Sequence, residues 1–113
     1  MSLRGSLEAE VADDGVHLTY QVENVNVEVV PLTFRSGQRY DMRVTEVGAS
    51  APLWRASEGR MYTMAIEHHT LETGDTWTFE ETITDLPDGA YDAHAELQAE
   101  EVSAPADTSF TIE

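Results

Sequence analysis

Few side chains in this 113-residue chain have the type and spacing to do chemistry. A nucleophile needs a base and an oxyanion hole beside it. The nearest approach is Gly48-Ala49-Ser50-Ala51-Pro52. It ends in Pro where a nucleophile elbow has Gly, and no strand-to-helix pattern surrounds it. It reads as a loop of small residues. His68-His69 invites a metal. Neighbours on a strand point to opposite faces, so the two cannot readily share one ion, and no H-E-x-x-H is present. His17 and His94 fall on predicted wet faces. Asp13-Asp14 reads as a hairpin turn rather than a cation site. The chain has no Cys, which removes disulfides and thiolate metal sites. No catalytic, cofactor-binding or metal-ligating residue is assigned, and no cofactor is expected.

Carboxylates are abundant enough that chance explains neighbouring pairs such as Glu80-Glu81 and Glu100-Glu101. Asp and Glu number 22 against 6 basic residues, a net charge of −16. All six basic residues are Arg, at 4, 35, 39, 43, 55 and 60. Phosphate binding needs clustered cations, so nucleic acid is excluded as the default partner. An anionic membrane surface is equally disfavoured. The 41% hydrophobic content and its patterning argue against a disordered acidic tail. The acidity fits adaptation to concentrated salt, where screening reaches down to about 3 Å and repulsion among carboxylates fades. Two features stand apart from this coat. Glu81 lies on the same strand face as Trp77 and Ile83, so it must sit near a strand end or be paired, with Arg39 or Arg43 in view as partners. Five of the six Arg lie between positions 35 and 60. They either balance nearby acids on an exposed sheet or form a less acidic binding patch.

The elements that must position these residues are strands. Apolar residues recur with period two. Leu7, Ala9 and Val11 form one set. Val16, Leu18, Tyr20 and Val22 form the next, after the turn at Asp13-Asp14-Gly15. The phase then flips to Val25, Val27 and Val29, which predicts a bulge or break near Asn24. Pro31 before Leu32 and Phe34 indicates an edge position or a break there. Tyr40, Met42 and Val44 alternate cleanly. Leu53 and Trp54 restart an apolar patch. Residues 61–66 read as a further strand with Met64 and Ile66 on one face. Trp77, Phe79 and Ile83 share a face, as do Tyr91, Ala93, Ala95 and Leu97. Phe110 and Ile112 close the chain. Residues 96–103 tolerate helix, but the alternation favours strand. Trp54 and Trp77 are expected in the core. The pattern predicts an all-β, antiparallel, immunoglobulin-like β-sandwich of seven to nine strands, with residues 1–113 as one domain. The start, Met1-Ser2-Leu3-Arg4-Gly5-Ser6, carries no apolar leader, and no run is long enough to span a membrane. The expected location is the cytoplasm.

Four blocks resemble a known family. Phe34-Arg35-Ser36-Gly37-Gln38-Arg39-Tyr40-Asp41 looks like the signature of the intracellular proteinase inhibitor family, the BsuPI domain. Trp54-Arg55-Ala56-Ser57-Glu58-Gly59-Arg60-Met61-Tyr62-Thr63 is similar to its second block. Leu71-Glu72-Thr73-Gly74-Asp75-Thr76-Trp77-Thr78-Phe79 and Leu86-Pro87-Asp88-Gly89-Ala90-Tyr91 follow in order. The resemblance spans about residues 20–97 and departs from the family pattern at Ala56, at Met64 and at Thr73, which stands before Gly74 in place of Pro. It implies an immunoglobulin-like sandwich that is not an enzyme and that inhibits a cytoplasmic subtilisin-type serine protease. The binding candidates are Arg55, Glu58, Gly59, Arg60, Met61 and Tyr62, on an exposed loop. The alternative is a non-catalytic protein-interaction module with no protease partner, since such folds host many functions. The oligomeric state is open.

Overall fold

The computed structural model describes residues 3–113. Met1 and Ser2, the first residues of the stretch expected to carry no apolar leader, lie outside the described residues. Among these residues nine strands form: β1 (Arg4–Ala12), β2 (Gly15–Glu23), β3 (Val30–Phe34), β4 (Tyr40–Glu46), β5 (Trp54–Arg55), β6 (Glu67–Leu71), β7 (Thr76–Ile83), β8 (Gly89–Leu97) and β9 (Ala106–Ile112). The predicted all-β sandwich is the observed fold, and every strand pair is antiparallel. One sheet runs β1-β2-β7 and the other β5-β4-β8-β9, with β3-β6 as a separate ribbon. The 96–103 stretch is strand to Leu97 and irregular beyond it, with no helix.

The alternation in the sequence sets the two inner faces. In β2, Val16, Leu18, Tyr20 and Val22 are buried, and each stands opposite an inward residue of β7: Ile83, Glu81, Phe79 and Trp77. From the other layer come Met42 and Val44 of β4 and Tyr91, Ala93, Ala95 and Leu97 of β8, all buried. Aromatic rings cross between the layers. Tyr40 of β4 stacks on Phe79 of β7 with centroids 4.5 Å apart, and Phe79 stacks in turn on Tyr20. Phe34 of the β3-β6 ribbon stacks on Trp77, which fastens the ribbon to β7. Such contacts add about 0.5–1.5 kcal/mol each beyond area burial. Trp54 and Trp77 are half-buried and lean on this core rather than sitting inside it. The expectation that both fill the interior is corrected to that extent: Tyr20, Tyr91 and Phe34 are the large rings in the interior.

The break near Asn24 is real, and its cause is a hydrogen-bond cluster. The buried Asn24 side chain donates to the carbonyls of Leu71 (2.8 Å) and Glu28 (2.9 Å) and accepts from the Asn26 N–H (2.8 Å). That side chain satisfies a tight turn which no ladder could. Val25, Val27 and Val29 therefore do not form a strand face. They lie in the turn, with Val27 93% exposed. The inward phase resumes on even numbers at Val30, Leu32 and Phe34.

The outer edge of β3 is covered by chain that follows β8. The Glu100 N–H donates to the Thr33 carbonyl at 2.9 Å. The Glu101 carboxylate accepts from both the Thr33 N–H and the Thr33 hydroxyl, each at 2.7 Å.

Candidate functional site

The second family-like block leaves the sheet where β5 ends. Residues 53–57 still run beside β4: the Leu53 N–H donates to the Val44 carbonyl (2.8 Å) and the Ala56 N–H to the Met42 carbonyl (2.9 Å). Ala56 is 2% exposed and plugs the core. A small residue suits that position, because a larger side chain has nowhere to go in a close-packed interior. Ser57 is held by one carboxylate. Asp41 accepts from its N–H at 3.2 Å and from its hydroxyl at 3.0 Å. The chain then turns out through Glu58 and Gly59, both exposed. Gly59 has φ +77°, a left-handed conformation that side chains with a Cβ rarely adopt.

Arg60 brings the loop back. Its guanidinium makes two hydrogen bonds to the Glu81 carboxylate, Nη1 to Oε2 at 2.8 Å and Nη2 to Oε1 at 2.6 Å. This bidentate form is the strong one for Arg and carboxylate. The Glu81 side chain is only 8% exposed. It projects from the inner face of β7, opposite buried Leu18. The Tyr40 hydroxyl donates to the same Oε2 in a short contact. Three elements thus meet on one buried carboxylate: β7 of one sheet, β4 of the other, and the loop. Burial alone pushes the Glu81 carboxyl up. The hydrogen bonds from Arg60 and Tyr40 overcome that and hold it below its ordinary range. Burial and the Glu81 contact push the Tyr40 phenol up to about 12, so it stays a donor. The partners anticipated for Glu81, Arg39 and Arg43, are not the ones found. Arg39 lies over the Trp77 ring, 5.6 Å from its centroid, and hydrogen-bonds Glu67 at 3.4 Å.

Past Arg60 the backbone is irregular from 61 to 66 and then enters β6. A strand was expected there on the strength of Met64 and Ile66. The structure overturns this: Met61 is 98% exposed, Met64 85% and Ile66 58%. These side chains have no facing layer to bury them, so their apolar character dictates no strand. A second anchor holds this stretch. The Gly37 N–H donates to the Thr63 carbonyl at 2.9 Å. A Cβ on Gly37 would stand 2.9 Å from the Thr63 Oγ1 and 3.4 Å from its backbone N. Met61 and Tyr62 are therefore suspended between two fixed points, with Tyr62 half-buried and Met61 in solvent.

The sequence candidates are brought together as one loop: Arg55, Glu58, Gly59 and Met61 exposed along it, Arg60 committed to Glu81, and Tyr62 turned partly inward. Arg55 and Arg43 are register partners across β4 and β5. Four of the six Arg hold carboxylates, namely Arg4–Glu23, Arg35–Glu100, Arg39–Glu67 and Arg60–Glu81. Among the described residues neither Arg43 nor Arg55 has such an ion pair. Asp41, Tyr40 and Gly37 were not singled out as site residues. Their signal was the first family-like block itself, which carries the anchors for the second.

His68 and His69 do point apart. His69 packs edge-on against Phe34 and Trp77, and His68 is exposed. Among the described residues no group of three or more His, Cys, Asp or Glu is placed to hold a metal ion. No helix there is long and apolar enough to cross a membrane.

Comparison with known proteins bears on family and fold. The BsuPI family model, described as intracellular proteinase inhibitor, matches residues 3–102, which include the loop, both its anchors and Glu81. No curated protein matches the chain. Among solved structures, a β-glucosidase from Kluyveromyces marxianus superposes with a TM-score of 0.54 over 99% of this chain, at 11% identity. This chain spans 14% of that one. At such identity the likeness speaks to the sandwich fold alone.

Proposed function

Since this chain belongs to the BsuPI family of intracellular proteinase inhibitors, which is not a catalytic family, we propose that it inhibits a subtilisin-type serine protease inside the cell, and that the loop carrying Arg55, Glu58, Gly59, Arg60, Met61 and Tyr62 is the contact surface. The observation that carries this reading is the clamp of Arg60 on buried Glu81. An inhibitor of this kind works by fit rather than by chemistry. Association pays for the ordering of every flexible segment at the interface, so a loop already fixed at both ends binds more tightly than a loose one of the same sequence. A standard interface covers about 800 Å² on each partner, more than one loop provides. The turn at residues 35–38, joined to the loop through Gly37 and Thr63, is the natural extension. In this reading Arg60 and Glu81 position the loop, and Arg55, Met61 and Tyr62 meet the protease. The chain acts as one domain, and its acidic surface is an adaptation to concentrated salt.

The test is titration of the folded chain in molar salt against subtilisin-type proteases, reading residual activity. Stoichiometric inhibition with a Ki below about 1 μM, some −8 kcal/mol, is expected. Absence of inhibition at large excess, or simple digestion of the chain, replaces this reading with that of an interaction module that has no protease partner. A second arm tests the clamp. Replacing both partners, Arg60→Met together with Glu81→Leu, exchanges the buried ion pair for apolar packing, a change that is often neutral or stabilising, yet it unpins the loop. Its expected result is retained folding with weaker inhibition.

A further inference from the structure

Met61 is the most exposed of the large apolar residues that the structure leaves in solvent, at 98%. Its position is unusual for a second reason: it follows the residue fixed to Glu81 and lies two before the residue fixed to Gly37. An exposed apolar side chain on a slack loop gains nothing in particular. One on a braced backbone is presented in a defined direction. Its neighbours are polar or turned away, since Arg60 is occupied and Tyr62 is half-buried. Val27 is nearly as exposed, but it is β-branched and lies in the turn that Asn24 holds after β2 rather than in this loop. Met64 is exposed too, but it lies beyond the Gly37–Thr63 anchor, on the short run into β6 rather than between Arg60 and Thr63.

Resting on the inhibitor reading above, we infer that Met61 enters the primary specificity pocket of the target protease. That pocket belongs to a protease that accepts a long, unbranched apolar side chain. A thioether on three rotatable bonds adapts to an apolar pocket of irregular shape, and a pocket that buries it completely makes it the kind of central anchor that dominates interface energetics. A pocket built for a cationic side chain, with a carboxylate at its base, would be left unpaired by Met61, and such a mismatch is heavily penalised.

The experiment compares wild type with Met61→Asp, Met61→Arg and Met64→Asp, each against a subtilisin-type protease with an apolar pocket and a trypsin-type protease with an acidic one. Both positions of change lie in solvent, so thermal unfolding should be unaltered and serves as the folding control. Expected results are a loss of at least about 30-fold in subtilisin-type inhibition for Met61→Asp, the size of a hot-spot truncation, and a change of less than about 5-fold for Met64→Asp. Met61→Arg should gain trypsin-type inhibition that the wild type lacks. If the wild type inhibits and Met61→Asp inhibits equally well, or if Met64→Asp shows the larger loss, the assignment of Met61 is overturned while the inhibitor reading stands. A wild type that inhibits neither protease overturns the inhibitor reading, and this assignment with it.

Discussion

Glu81 is the side chain on which the loop turns. Its carboxylate is nearly out of water and carries two hydrogen bonds from Arg60 and one from Tyr40. Removing the charge while keeping the shape strands a guanidinium whose partner has lost half its strength. Glu81→Gln should therefore cost about 1–3 kcal/mol by denaturant unfolding at neutral pH. The cost should depend on pH in a definite direction. The native carboxyl titrates below its ordinary 4.5, so the clamp contributes fully above that pH and loses its contribution as the pH falls through the depressed native value. The stability gap between wild type and Glu81→Gln should narrow only in acid below about pH 4.5. A gap that stays constant down to pH 3 would contradict the buried ion pair. The sequence disclosed half of this arrangement. Glu81 stood out as the acid in an apolar row, which announces a partner. The partner could not be named, because Arg60 comes from a loop 21 residues away, and strand periodicity says nothing about where a loop folds back.

Among the elements, β2, β7 and β8 were legible because each has a dry and a wet face, and period two records that directly. The failures fell where apolar letters have no layer to face. Val25, Val27 and Val29 alternate as a strand does, yet the Asn24 hydrogen bonds force a turn and leave them outside. Residues 61–66 look apolar, yet two anchors hold them clear of both sheets. The family-like blocks located the loop but not its bracing. That bracing predicts the effect of a change outside the loop. Gly37→Val places a branched side chain where even a Cβ would crowd Thr63. It should cost about 1–3 kcal/mol through overpacking, and it should speed nicking of residues 61–66 by an unrelated protease, read by mass spectrometry. Equal nicking rates would show that the Gly37–Thr63 contact does not hold the loop.

For the molecule as a whole, charge is the dominant global term. A net −16 on 113 residues repels itself over about 30 Å at 10 mM salt and over only about 3 Å at 1 M. Stability should rise with sodium chloride even though exposed pairs such as Arg4–Glu23 and Arg35–Glu100 weaken, since surface pairs contribute little. The melting temperature should climb by at least about 5 °C between those salt concentrations, the shift that about 1 kcal/mol gives in a domain of this size. A flat or falling trend would refute the reading of the acidic surface as fitted to concentrated salt.

The same salt that quiets this repulsion also removes what keeps copies of the chain apart, and the cover over β3 then acquires a second meaning. An uncovered strand edge is a template on which another copy can add a strand. Here the Thr33 N–H and carbonyl are already taken, by Glu101 and Glu100. Glu101 does this with a side chain that is itself charged, so an approaching strand meets both a satisfied backbone and a carboxylate. Glu101→Ala should leave the monomer folded and make it self-associate in molar salt, as light scattering would reveal. Solubility at high salt would then rest on two acidic residues at one strand edge as much as on the charge of the whole surface.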